Sequence, residues 1–262
     1  MPTMQPMTTL LVVLASVVAV AAAIRSTWSP CGLSMLSTIT PIGEQGRRNR
    51  YGTSVTWFIL GAVLGGATLS VGAALLAAGV RALDLSGEAR VGIAAALAAV
   101  AVASDLHLGG FRLPSHTRQV NEEWLMQYRS WVYGGGFGWQ IGVGLATYIT
   151  TAAVYLMLGL AALNASPPAA VAVVTGFGLV RGLAVLLGRH LTTPQKMMDL
   201  HRRLDELLPT AQRAVVLVQS AVLAVLAAAA WGLAPAAAVG IAAGATALAR
   251  QPRPATRVAR PA

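Results

Sequence analysis

Charged residues are scarce in this chain, and long stretches contain none. Charged side chains make up 11% of the 262 residues and hydrophobic ones 56%, whereas soluble domains contain about 25% charged residues. About 20 consecutive apolar residues cross a bilayer, and residues 55–80 and 130–180 carry no charge. The apolar blocks are solid rather than alternating, which argues against a β-barrel. We therefore predict an all-α fold, which is a polytopic transmembrane helix bundle. The lipid bilayer is its first predicted partner.

Basic residues predict the orientation of this bundle, because cytoplasmic loops carry an excess of Lys and Arg. Of the 19 basic residues, 15 follow the first, third, fifth or seventh apolar block. This distribution predicts seven spans, with the N-terminus outside and the C-terminus cytoplasmic. The Ala-, Arg- and Gly-rich, Lys-poor composition is typical of a high-GC bacterium and therefore predicts a bacterial plasma membrane. The seven blocks are residues 8–28, 55–80, 91–104, 133–163, 168–188, 214–232 and 235–249.

The seven predicted spans divide into two repeats of three spans each and one additional helix. We predict one transmembrane domain over residues 1–249, with a first repeat at about 8–105 and a second at about 133–233. Three spans in each half force the two repeats into inverted orientations. Residues 235–249 form the additional helix, and the Arg/Pro-rich residues 250–262 are predicted to be a disordered basic cytoplasmic tail.

Cysteine is almost absent, which excludes an internal disulfide. The single cysteine, Cys31, lies in the stretch WSPCGLSMLSTITP between Pro30 and Pro41. Proline removes a backbone donor and clashes with the preceding turn, so the first span should break at Pro30. Non-helical backbone inside a membrane persists only where protein or a wet cavity satisfies it, and broken helices mark the binding sites of many transporters. A purely structural kink is the alternative.

The motif Ser-Pro-Cys-Gly-Leu-Ser around Cys31, with a proline about ten residues later, resembles the CcdA/DsbD family of transmembrane thiol–disulfide relays in cytochrome c biogenesis. The resemblance implies two inverted three-helix repeats, each opening with a Pro-Cys element, and electron transfer from a cytoplasmic thioredoxin to an extracytoplasmic acceptor. Residues 134–157, where the second repeat opens, contain neither cysteine nor proline. Cys31 would face Gly142 in one register and Thr151 in another. A two-cysteine relay within this chain is therefore excluded.

Three roles for Cys31 stay open. It can pair with a cysteine of a thiol-redox partner protein, which would make it the catalytic residue of a one-thiol relay. It can be a soft ligand for a metal such as Cu(I). It can also be a small packing residue, as buried cysteines often are.

Arg25 and Arg181 are the two charges placed most clearly inside spans, and no acidic residue lies within a span to pair with them. Intramembrane ionisable residues indicate functional sites, and two arginines facing one cavity would suit an anion such as a carboxylate or a sulfur oxyanion. Snorkelling to headgroups is the alternative. The predicted substrate site, where spans one and four meet, contains Arg25, Pro30, Cys31, Ser34, Thr38, Thr150, Thr151 and Arg181.

Several other classes of protein are excluded. The net charge of +10 is dispersed over loops and tail, so no nucleic-acid partner is predicted. The one lysine, Lys196, lies in a loop and cannot hold retinal. No Walker motif, nucleophile elbow or metal-ligand spacing is present, so we expect no metal and no cofactor, and an enzyme is the less favoured class.

Three functions remain. The first is a small transporter-like protein that moves a small anionic or sulfur-containing solute. The second is a one-cysteine thiol-redox component. The third is a non-catalytic membrane scaffold that holds other proteins through glycine-rich faces, such as Gly61/Gly65, Gly138/Gly142 and Gly178/Gly182. The apolar stripe of residues 193–208 predicts a separate interfacial helix between spans five and six.

Overall fold

The computed structural model describes residues 4–115, 127–232 and 246, and the described ranges are helical with no strand. Two short 3₁₀ segments, Leu108–Gly110 and Ala184–His190, accompany the α-helices. The α-helices of these ranges are α1 Met4–Ser26, α2 Pro30–Thr38, α3 Pro41–Gly46, α4 Tyr51–Ala82, α5 Gly87–Asp105, α6 Ser130–Val143, α7 Ala153–Leu163, α8 Pro167–Leu183 and α9 Pro194–Trp231.

Five of these helices are long and apolar enough to cross a membrane: α1, α4, α5, α8 with its 3₁₀ extension, and α9. The protein is thus an integral membrane protein with a helix-bundle fold, as predicted. The fourth apolar block does not form one helix, because α6 has 14 residues, α7 has 11, and Gly144–Ala152 separates them. The predicted seventh span at 235–249 and the tail at 250–262 lie outside the described residues, apart from Thr246.

Helix α9 corrects the prediction of a separate interfacial helix. Its 38 residues continue from Pro194 through Pro209 to Trp231 without a break. At 1.5 Å per residue it is about 57 Å long, well beyond the ~30 Å hydrocarbon core. The polar N-terminal part is therefore continuous with the apolar part in one helix that is longer than a membrane crossing requires. Of the predicted apolar stripe, Leu204 is buried and Leu207 is 51% exposed.

The first span breaks where the proline predicts. Helix α1 ends at Ser26, and α2 begins at Pro30 with Ser29 as its N-cap. The Ser29 hydroxyl accepts the Gly32 N–H at 3.1 Å, and Pro30 occupies the first helical position, where its missing N–H costs nothing. A Cβ atom at Gly32 would overlap the Thr27 carbonyl oxygen. The turn between the two helices is therefore too tight for any larger residue.

Glycines bring α4, α6 and α8 into backbone contact. A Cβ atom at Gly138 would overlap the Phe58 carbonyl oxygen, and Gly142 and Gly178 lie equally close to the Ala62 carbonyl. Small residues permit such approach in membrane helices. The glycine pairs named for a scaffold thus pack helices within the chain, with α4 as the central helix of the three.

Candidate functional site

The break in span four lies well inside the bundle. Gly142, in the last turn of α6, packs on Ala62, and Ala62 lies about 17 Å along α4 from its start at Tyr51 at 1.5 Å per residue. Gly144 follows with φ of 71°, a left-handed conformation that favours glycine. The chain then runs without helix to Ala152 before α7 begins. Its backbone needs partners from neighbouring helices, since the bilayer core offers none.

Arg181 of α8 supplies partners at the α6 side of this break. Its side chain is 3% exposed, and Nη1 donates to the Ile141 carbonyl at 2.7 Å while Nη2 donates to Thr147 Oγ1 at 3.3 Å. A cation is favourable there, because the carbonyl end of a helix carries partial negative charge. The guanidinium also lies 5.8 Å from the centre of the Phe177 ring. Arg181 is directed at the break and not at the headgroups.

Asp105, the last residue of α5, supplies partners at the α7 side. Its carboxylate accepts the Ala152 N–H at 2.7 Å and the Thr151 hydroxyl. Gln219 of α9, fully buried, donates Nε2 to Asp105 at 2.9 Å and to Thr151 at 3.3 Å. A carboxylate at a helix N-terminus opposes the positive end of the helix dipole. The sequence alone identified none of Asp105, Gln219 and Thr147 as site residues.

Arg25 approaches the same break from α1. It lies in the last turn of that helix and is 7% exposed, and α1 packs on α7, the helix that Asp105 caps. Arg181 and Arg25 thus approach opposite ends of the non-helical segment. Arg181 contacts Thr147 directly, and Arg25 lies on the side where Asp105 binds Thr151. We call this set the polar layer: Arg25, Asp105, Thr147, Thr150, Thr151, Arg181 and Gln219.

The polar layer contains buried atoms that the protein itself does not satisfy. These atoms are Arg25 Nη1, Thr150 Oγ1, Arg181 Nε and Gln219 Oε1, and none has a hydrogen-bond partner in the ranges that the structure describes. Native proteins rarely leave buried polar groups unpaired, so each such group calls for an explanation. Four of the eight buried side-chain atoms without a partner in the described ranges belong to this layer, and the other four, on Arg47, Arg90, Thr175 and Ser220, do not. A group of four at one helix break is compatible with a ligand site.

Cys31 lies beside this layer rather than in it. It occupies the second position of α2, is 2% exposed, and belongs to an apolar cluster with Met35, Phe58 and Phe137. Arg181 interacts electrostatically with it. Half-buried Pro30 begins α2 next to it.

The two other predicted residues on α2 lie further from the break. The Thr38 hydroxyl donates to the Ser34 carbonyl at 2.8 Å inside α2, and Thr38 is eight residues beyond Pro30, or about 12 Å along the helix. The structure therefore does not bring Thr38 to the polar layer, and Ser34 lies one turn into α2. Among the described residues no cluster of His, Cys, Asp and Glu could hold a metal ion.

A second buried polar group, which sequence reasoning missed, lies near the start of α4. Glu44 of α3 is fully buried and accepts hydrogen bonds from Arg47 at 2.7 Å, from Ser54 at 2.7 Å and from the Tyr133 hydroxyl. Arg47 also stacks 5.7 Å from the Tyr133 ring centre. This ion pair is internally neutral and joins α3 to α4 and α6. A single acidic residue just after Pro41 was its only sequence signal.

No protein-family model matches the chain, and no solved structure is similar to it. Curated relatives do exist. A methylamine utilization protein MauF of Paracoccus versutus is 30% identical over 217 residues, which are 80% of this chain and 77% of that protein. MauF of Methylophilus methylotrophus is 32% identical over 179 residues and MauF of Paracoccus denitrificans 34% over 172, in each case 64% of this chain but only 60% of the relative's own length.

These relatives are membrane proteins of the CcdA/DsbD-like cytochrome c biogenesis superfamily, which confirms the resemblance around Cys31 at the level of the superfamily. The similarity extends over most of the chain and is therefore not confined to one motif. The chain belongs to the MauF family.

Proposed function

We propose that this protein is a membrane carrier for a small anion and that, like the relatives named for it, it serves methylamine utilization. One observation carries the proposal: Arg25 and Arg181 are buried at a helix break, and each has an N–H without a partner among the described residues. Buried arginine is costly unless it is paired. An anion between them would supply the missing acceptor atoms.

The pattern of helix contacts supports an inverted repeat around this site. A twofold axis would exchange span one with span four, span two with span five, and span three with span six. Each contact between two helices must then be matched by a contact between their counterparts. Contacts of α1 with α8 and α9 must be matched by contacts of α4 with α6 and α7 and of α5 with α7. All of these are present, and the self-matched pairs α4–α8, α5–α9 and α1–α7 pack as well. The match is partial, because α8 also packs on α6 and α7 whereas in the described ranges no comparable contact joins α1 or α2 to α4. The contacts that do correspond are those expected of repeats at about 8–105 and 133–233.

The two breaks also favour one of the two registers. Helix α6 ends 117 positions after α1 ends, and α7 begins 123 positions after α2 begins. If Thr151 corresponds to Cys31, the two repeats are offset by 120 positions, which lies between these values. If Gly142 corresponds to Cys31, the offset is 111 positions, which lies outside them. Each repeat would thus contribute one broken span to a common centre, the usual location of transporter sites.

Uptake into proteoliposomes tests the carrier. The purified protein should accumulate radiolabelled carboxylates or sulfur oxyanions above protein-free vesicles. Arg25→Gln and Arg181→Gln should each reduce uptake about 10- to 100-fold, since a hydrogen bond to a charged group contributes about 1.5–3 kcal/mol. Arg213→Gln, on an exposed arginine of α9, is the matched control and should change uptake less than twofold. Wild-type vesicles that take up no anion of either class would refute the proposal.

A one-thiol relay is the second candidate, favoured by the position of Cys31 at the N-terminus of α2 beside Arg181. Its thiolate would attack a partner's disulfide, and that S–S bond would break as a mixed disulfide formed. Cys31→Ser separates the two functions. Anion uptake that persists in the variant supports the carrier, whereas a covalent adduct trapped only by the wild-type thiol supports the relay.

A further inference from the structure

We infer that the anion is singly charged and carries its own hydrogen-bond donor, as a small hydroxycarboxylate does. This inference rests on the proposed function, because it concerns the ligand of the polar layer. It follows from two independent features of that layer, its balance of charges and one buried acceptor.

The balance of charges sets the charge of the ligand. Within the polar layer, Arg25 and Arg181 contribute two positive charges and Asp105 one negative charge. The nearby Glu44–Arg47 pair is neutral in itself, so the described residues leave the layer with one excess positive charge. An uncompensated charge is costly away from water. A single negative charge neutralises the layer, and a dianion would reverse the excess.

The identity of the Asp105 partners supports this count. The carboxylate accepts three hydrogen bonds, from the Ala152 N–H, the Thr151 hydroxyl and the Gln219 amide. All three partners are donors, and an ionised carboxylate is an acceptor only. Asp105 therefore enters the count as an anion, and it lowers the charge available to a ligand by one.

Gln219 sets the requirement for a donor. Its amide orientation is fixed, because reversing it would place Oε1 against the carboxylate of Asp105 instead of Nε2. Oε1 is then a fully buried acceptor for which the described part of the chain offers no donor. The carboxylate of a ligand can pair with the arginines, and a hydroxyl or N–H group on the same ligand can donate to Gln219.

Matched anions test both features in proteoliposomes. Glycolate is singly charged and has a hydroxyl group, propionate is nearly isosteric without the hydroxyl, and malonate at pH 8 is a dianion. We expect uptake of glycolate at a KM about tenfold below that of propionate, because an unpaired buried acceptor disfavours the analogue that lacks the donor. Malonate uptake should be lower than that of either monoanion.

Two variants make the result specific. Gln219→Met removes the acceptor and should bring the glycolate and propionate KM values together. Asp105→Asn removes one negative charge and should move selectivity toward malonate. If Asp105→Asn does not fold, the wild-type panel and Gln219→Met decide the matter. A wild-type protein that prefers malonate, or a Gln219→Met variant that keeps the full preference for glycolate, would overturn the inference while leaving a carrier. Absence of uptake for every anion would instead refute the carrier itself.

Discussion

The Asp105 carboxylate accepts the Ala152 N–H at 2.7 Å, and so the end of one span caps the beginning of another. The N-cap position of α7 is Ala152, which has no side-chain acceptor, and the local Thr151 hydroxyl accepts only the next N–H, that of Ala153, at 3.1 Å. Orphan N–H groups at a helix start are usually satisfied by a local Ser, Thr, Asn or Asp. Here the cap comes from 47 residues away, which makes the half-helix dependent on the position of α5.

Removing this cap should destabilise the fold. We expect Asp105→Ala to lower the free energy of unfolding in detergent by about 1–3 kcal/mol, which combines the loss of an N-cap with an unpaired Gln219 amide. Asp205→Ala, on an exposed residue of α9, is the matched control and should be nearly neutral. Thermal unfolding followed by circular dichroism measures both. Equal melting temperatures for the two variants would contradict the capping role.

Glycine packing on α4 gives a second prediction. Gly61→Ala should destabilise the protein by about 1–3 kcal/mol, because a Cβ atom there would overlap the Gly135 carbonyl oxygen. Gly72→Ala lies in the same helix with nothing near its added methyl group, and should be neutral or slightly stabilising. Thermal melting in one detergent compares them, and the packing argument fails if Gly72→Ala is the more damaging change.

Membrane orientation gives a third prediction. The excess of Lys and Arg in alternate loops predicts that the links after α3 and before α9 are cytoplasmic. Alkaline phosphatase fused after Asp84 or Ala165 should be active, and fused after Arg48 or Thr192 inactive. The reverse pattern would place the N-terminus inside.

Growth on methylamine gives a fourth prediction. Deletion of the gene in its own host should slow growth on methylamine and leave growth on succinate unchanged. A plasmid copy of the wild type should restore growth, and Arg181→Gln should restore it incompletely because it weakens anion binding. Equal growth of the deletion strain on both carbon sources would separate this chain from the process for which its relatives are named.

Sequence alone predicted the break at Pro30, because proline acts on its own turn and needs no tertiary partner. The break at Gly144 was not predicted. The chain has 27 glycines, and most of them lie within helices. A single glycine therefore does not indicate an interruption. What sustains this interruption is the set of contacts from Asp105, Arg181 and Gln219, and such long-range contacts leave no local pattern in the sequence.

The same limit applied to the candidate site. Arg25 and Arg181 were identified because a charge inside an apolar block is conspicuous. Gln219 was not, because a neutral amide in a long helix signals nothing until its neighbours are known. Thr38 was included for its closeness in sequence to Cys31, but helix α2 carries it away from the break.

The glycine contacts of α4 with α6 and α8 bear on how such a protein can change shape. Backbones that touch along several turns resist sliding past one another, so we expect these three helices to move together. In the proposed carrier, opening toward either side of the membrane would then involve the elements around them, which are α1 with its tight turn into α2 and the α5–α9 pair that holds Asp105 and Gln219. The ligand site would then lie on the boundary between a fixed frame and a moving part.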